Sequence, residues 1–134
     1  MVARGVRNNN PLNIEKGQPW QGLKPTQTDP RFCQFVSLEM GFRAAFKILK
    51  TYFGKRPPVQ NVRAIITRWA PPGENNTGAY IRFVCEHGQL NPDEPLRYSD
   101  KNKMCRLVWA MAEMECGQKF SFGRIENAYA LANE

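Results

Sequence analysis

Between Leu38 and Phe53 the apolar residues Phe42, Ala45, Phe46, Leu49, Tyr52 and Phe53 recur at spacings of three and four, while Arg43, Lys47 and Lys50 fall on the other side. That period is the signature of an amphipathic helix. Ser37 is placed to cap it, and Gly54 with the Pro57-Pro58 pair ends it. A second helix is predicted over about Gln60 to Trp69, burying Val62, Ile65 and Ile66 and stopped by Pro71-Pro72. A third begins at Asn76 or Thr77 and runs to about His87, with Tyr80, Ile81, Val84 and Cys85 inward and Gly88 closing it. A fourth is capped by Ser99 or Asp100 and ends near Cys116-Gly117. Ser121 caps a fifth, with Ile125, Ala128, Tyr129 and Leu131 on one side.

The first 37 positions read differently. In RGVRNNNPLNI the side chains of Asn8, Asn9, Asn10 and Asn13 compete for backbone hydrogen bonds, and Pro11 blocks a ladder, so the stretch is expected to be a turn. The alternation that follows predicts a small hairpin, with one strand after Pro11, a turn at Gly17 and a second strand carrying Trp20. RFCQFVS is a brief extended piece. A mainly α chain of the α+β type results, with about five helices, a small N-terminal β-hairpin, no internal repeat and no low-complexity tract. A run of amides beside a hairpin suits a sugar or a peptide, or serves only its own backbone.

The chain has 134 residues, enough for one domain with its own core over 1–134. Its formal charge of +7 implies attraction to a polyanion, whether nucleic acid, anionic lipid or the acidic polymers of a bacterial envelope. Lysines and arginines are scattered, with no recognition helix or aromatic-basic array, which disfavours nucleic acid. No apolar run reaches the length of a membrane span, and no signal peptide is visible near Arg4 and Arg7. Cys33, Cys85, Cys105 and Cys116 form no CxxC pair and His87 is the one histidine, so neither a metal nor another cofactor is expected. The cysteine pairing stays open.

The fourth helix carries the sharpest chemical signal. Its stripe of Met104, Leu107, Val108 and Met111 is continued one turn later by Glu115. A carboxylate there closes an apolar face and sits at the negative end of the helix dipole. Both circumstances disfavour the charged form and suit a general acid working near neutral pH. The simpler alternative is a solvated residue at a frayed helix end. Glu113, on the Arg106 face, reads as surface.

RGVRNNNPLNI, WQGL, the F-x-x-F before SLEMGFRAAFKIL, and RWAPPGENNTGAYI together resemble a family of short phage and prophage proteins, many in gut Bacteroidetes, labelled virion structural or lysozyme-like. There is also a similarity to glucosaminidases and lytic transglycosylases of the lysozyme superfamily. Those enzymes end a helix with a catalytic glutamate in an E-S-G motif, and some then reach an N-N-L-F-G-I-K hairpin. Glu115-Cys116-Gly117 resembles the first motif, with Cys where Ser is usual, and Asn9 to Ile14 resembles the second. The order is reversed, as in a circular permutation of that fold.

The resemblance implies a lysozyme-like domain that cleaves peptidoglycan glycan strands, either virion-associated or delivered to the cell envelope, with other virion proteins as further partners. Glu115 would then protonate the glycosidic oxygen. Glu39 and Glu74 are the candidates for a second carboxylate, with Glu15 weaker. Glu39 equally suits the positive end of its helix, and Glu74 a solvated turn. Asn8, Asn9, Asn10, Asn13, Asn75, Asn76 and Tyr80 are candidate polar contacts to sugar, and Trp20, Trp69 and Trp109 candidate stacking platforms, each with core packing as the alternative. Arg4, Arg7 and Arg43 would attract anionic groups. The contrasting expectation is a virion or wall-binding protein without catalysis.

Overall fold

The computed structural model of the protein describes residues 2–134. Among them are six helices: α1 (Arg4–Arg7), α2 (Leu38–Phe53), α3 (Val62–Trp69), α4 (Thr77–Gly88), α5 (Lys101–Cys116) and α6 (Phe122–Ala132). The fold is mainly helical. Side chains cap four of the helices: Ser37 accepts from the Met40 amide, Asn61 from Ala64, Asn76 from Ala79 and Asp100 from Lys103. Each relieves an amide that the first turn leaves without a partner. α2 lies along α6, α4 along α5, and α5 also meets α6. Phe42, Phe46 and Leu49 of α2 are fully buried among Met104, Leu107 and Met111 of α5 and Ile125 of α6 in one core. Each such side chain contributes about 1.5–3 kcal/mol by leaving water.

Two expectations about the N-terminal part are corrected. The stretch Arg4–Arg7 makes a single helical turn, so the helices number six where about five were expected. The adjacent-strand hairpin at Gly17 does not form. Glu15 pairs with Phe32 and Leu23 with Phe35, each as an isolated antiparallel bridge. The physical reason is that both arms bond to the extended 31–36 segment instead of to each other. Lys16 donates to the Arg31 carbonyl and Cys33 to that of Ile14, Lys24 to Gln34 and Val36 to Gly22, and side chains complete the pairing. Asn10, wholly buried, takes the Ile14 amide on its carbonyl at 2.9 Å and donates to the Ile14 and Cys33 carbonyls at 2.9 and 3.0 Å. Gln34 binds the Thr28 amide, and Gln27 the Gln34 amide.

Asp29 is the electrostatic anchor of this part. Only 8% exposed, its carboxylate takes a two-pronged ion pair from Arg4 at 2.7 Å, the Asn8 amide at 2.9 Å and the backbone amides of Arg31 and Phe32. The Arg4 guanidinium first, then these backbone and side-chain amides, hold its carboxyl well below the usual carboxylate range. An unfolded Asp takes its proton near pH 4 while the folded one does not, so the stabilisation is present above that pH and drains away as pH falls. Asp29→Asn is accordingly expected to lower the thermal midpoint at pH 7, with the gap to the parent narrowing at pH 3. Equal midpoints at pH 7 would remove Asp29 from this role.

Candidate functional site

The site begins where α5 ends. Burial of Met104, Leu107, Val108 and Met111 fixes the face of α5 that points inward, and Glu115 continues that face one turn further on. Its Oε1 accepts a hydrogen bond from Asn13 Nδ2 at 3.0 Å, and its Oε2 accepts one from the Tyr80 hydroxyl of α4 at 2.9 Å. Burial raises the Glu115 carboxyl above the usual range, while the donors Asn13, Tyr80 and Trp69 pull in the other direction and do not cancel it. Burial, with the Glu115 charge next, likewise drives Tyr80 well above an ordinary phenol. Cys116 beside it is pushed up to about 11, by burial first and then by the same charge. Its thiol donates to the Pro11 carbonyl at 3.3 Å, which ties the end of α5 to the Asn-rich loop.

Glu115 faces a cleft of about 890 Å³. One wall is the N-terminal part, through Leu12, Asn13, Ile14, Glu15, Gln18, Trp20, Arg31 and Phe32. Facing it are Ile48, Thr51 and Tyr52 of α2, with Trp69, Ala70, Pro71, Glu74 and Asn75 from the end of α3 and the turn after it. Glu15 is held by Arg31 at 2.8 Å, so its charge is compensated, whereas Glu74 is exposed and forms no ion pair among the described residues.

Of the residues singled out in the sequence, Glu115, Asn13, Glu15, Trp20, Trp69, Glu74 and Asn75 come together at this cleft, and Tyr80 stands behind Glu115. The others lie elsewhere. Asn8 and Asn10 are buried, with their amides bonded to Asp29 and to backbone carbonyls, and Asn9 donates to the Phe35 carbonyl at 3.0 Å. Asn76 is spent on capping α4. Glu39 pairs with Arg124 of α6 at 3.1 Å, and Trp109 donates its indole N–H to the Phe120 carbonyl at 2.7 Å; neither lines the cleft. These residues serve the scaffold because local partners reach their polar groups first. Reading the chain in one dimension missed Tyr52, Thr51, Gln18 and Phe32 as cleft residues. Tyr52 sits at the end of the α2 stripe, where nothing distinguishes a cleft edge from a core edge, and Thr51 is an exposed residue beside it.

Among the described residues no group of three or more His, Cys, Asp or Glu side chains is gathered to hold a metal ion, and no helix is long and apolar enough to cross a membrane. All four cysteines are free thiols.

Fold and site together define a mainly helical protein with a cleft onto which a half-buried carboxyl opens. No protein-family model matches the chain. It is 35% identical over 133 residues to Protein P5 of Pseudoalteromonas phage PM2, an alignment that covers 96% of this chain and 81% of that protein. The chain belongs to the family of this phage protein.

Proposed function

We propose that the protein is a peptidoglycan-cleaving glycosidase of phage or prophage origin, of muramidase, glucosaminidase or lytic transglycosylase type, with Glu115 as its general acid. The observation that carries this reading is a carboxyl raised by burial and opening on a cleft between Trp20 and Trp69. Such an acid donates its proton to a glycosidic oxygen as the departing sugar leaves an oxocarbenium-like ring, and flat indole faces suit pyranose rings. The lysozyme-like, permuted character proposed for the fold is supported by the meeting of Glu115 with Asn13, 102 positions away in the chain. Glu74 is the carboxylate on the cleft wall best placed by its chemistry to activate water. The substrate's own acetamido or hydroxyl group is the other source of a nucleophile.

Charge supports a neutral polymer in the cleft. With Glu15 paired to Arg31 and Glu115 read as a protonated acid, Glu74 is the one uncompensated charge among the described residues of its lining, although the whole chain stands at +7. A polyanion such as nucleic acid finds no free cation among those residues, while the basic exterior would draw the protein to an anionic wall. The place of action is then a phage particle or the cell envelope to which the protein is delivered.

The test is incubation of the full chain with purified sacculi, followed by mass spectrometry of the soluble fraction. Released disaccharide-peptides are expected. Reducing ends mark hydrolysis and 1,6-anhydro ends mark transglycosylation. Binding to sacculi with no fragment released would replace this reading with a virion structural or wall-binding protein.

A further inference from the structure

The two oxygens of Glu115 have chemically different partners. Oε1 faces the Asn13 amide nitrogen, which donates and cannot accept. Oε2 faces the Tyr80 hydroxyl, which donates to a carboxylate and turns to accept from a carboxylic acid. A proton on Oε1 would compete with a fixed donor; on Oε2 it meets a partner able to reverse.

Asn13 is itself held with unusual care. Its backbone is left-handed, at φ 54°, a conformation that Asn tolerates better than most residues with a side chain. Its amide donates to the Asn10 carbonyl at 3.0 Å, and the buried Asn10 side chain clamps the next residue, Ile14, through both its amide and its carbonyl. On the other flank Gly5 leaves room, since a Cβ there would lie 3.1 Å from Asn13 Oδ1, 3.2 Å from Cys116 Sγ and 2.9 Å from the Asn10 carbonyl. The Asn run thus ends in one precisely aimed amide.

We infer that Asn13 is a positioning residue for Glu115: its amide fixes the rotation of the carboxyl and assigns the transferable proton to Oε2, with Tyr80 as the reversible partner of that proton. This rests on the glycosidase reading for its functional consequence, but the coupling of Asn13 to Glu115 exists with or without turnover. The groups that face the carboxyl are Asn13 from the N-terminal loop, Tyr80 from α4, Trp69 from α3 and Cys116 on α5 itself, and Glu15, Glu74 and Arg31 share the cleft. The Asn13 bond favours the charged form, so its loss moves the titration upward.

The experiment is a carboxyl carbon-13 NMR titration of the full chain, with the Glu115 signal assigned by its absence in Glu115→Gln. It is run on the parent, Asn13→Gly and Asn13→Asp, and paired with the pH profile of sacculus turnover. Gly accepts the left-handed backbone, and Asp keeps the shape while replacing the donor with an oxygen. The expected result is a Glu115 titration moved to higher pH in Asn13→Gly and further in Asn13→Asp, with kcat down about 10- to 100-fold and KM little changed. An unmoved Glu115 titration in whichever variant folds overturns the inference, as does a rise in KM with kcat intact, which would make Asn13 a sugar contact. A parent that turns over no wall refutes the glycosidase reading alone, and the NMR titration still decides the coupling.

Discussion

Glu115→Gln is expected to cut the release of fragments from purified wall by about 10²- to 10⁴-fold, the usual worth of a positioned general acid, while the chain stays folded. The variant keeps both partners of the carboxyl. Its amide oxygen accepts from Asn13, and its NH₂ group donates to a Tyr80 hydroxyl turned to accept, so no buried polar group is orphaned. What disappears is the proton that can leave. Stability supplies a second readout of opposite sign. Burial holds the folded Glu115 carboxyl above its unfolded value of about 4.3. As pH rises through the window between those two values the unfolded chain releases a proton that the folded one retains, so the parent loses stability there and does not regain it at higher pH. Glutamine has no such dependence. The thermal midpoint of the variant is therefore expected to gain on that of the parent as pH is raised from about 4 to about 8. Circular dichroism melts across that range, beside turnover on sacculi, check both halves. Unchanged clearing by the variant would remove Glu115 from the mechanism.

How much of this was legible in the sequence depends on the range over which each signal acts. The helices from α2 onward were readable because their signals are local: an apolar period beside a cap three residues from the amide it serves, as at Ser37, Asn76 and Asp100. Glu115 was readable for a related reason, since it breaks an apolar stripe at a place where a carboxylate has no local justification. The N-terminal part was not, because Asp29 is bound by Arg4 across 25 positions and Cys33 by Asn10 across 23. Bonds at that range leave no periodic trace, so the alternation around Gly17 imitated a hairpin whose two arms pair instead with the 31–36 segment. The same long-range bonding explains why the sequence leaves the Asn run open between a sugar grip and service to its own backbone. Whether an amide is free for a ligand depends on acceptors elsewhere in the chain, and all four amides have found theirs, that of Asn13 on Glu115 itself. Tyr80 was singled out as a sugar contact, but its hydroxyl is given to Glu115 from another helix, a pairing 35 positions apart that no motif announces.

Gly41→Ala is expected to destabilise the protein by on the order of 2 kcal/mol or more, although alanine is the better helix former by about 1 kcal/mol. Gly41 lies in the first turns of α2, and the Asn-rich loop rests directly on it. A Cβ there would meet the Asn9 carbonyl oxygen in a hard clash, with the Asn9 carbonyl carbon at 3.1 Å and the Asn10 Cα at 3.3 Å. All three atoms are backbone, and none can swing aside as the end of a long side chain would. Nor can the loop simply lift, because Asn9 is held to the Phe35 carbonyl and Asn10 to the carbonyls of Ile14 and Cys33. Relief must come from separating α2 from the loop, which also withdraws Asn13 from Glu115. Gly78, in the first turn of α4, is the internal control. A Cβ there meets nothing nearer than the flexible end of Arg82 at 3.5 Å, so Gly78→Ala should raise stability slightly, by less than the roughly 1 kcal/mol of a helix-interior site. Thermal melts of the two variants should move in opposite directions, with Gly41→Ala falling by on the order of 5–10 °C. Because the loop carries Asn13, its turnover on sacculi should fall at temperatures where the chain is still folded. A midpoint for Gly41→Ala at or above that of the parent would show that the Asn-rich loop is not seated on α2, and with it the path from that contact to the acid would be lost.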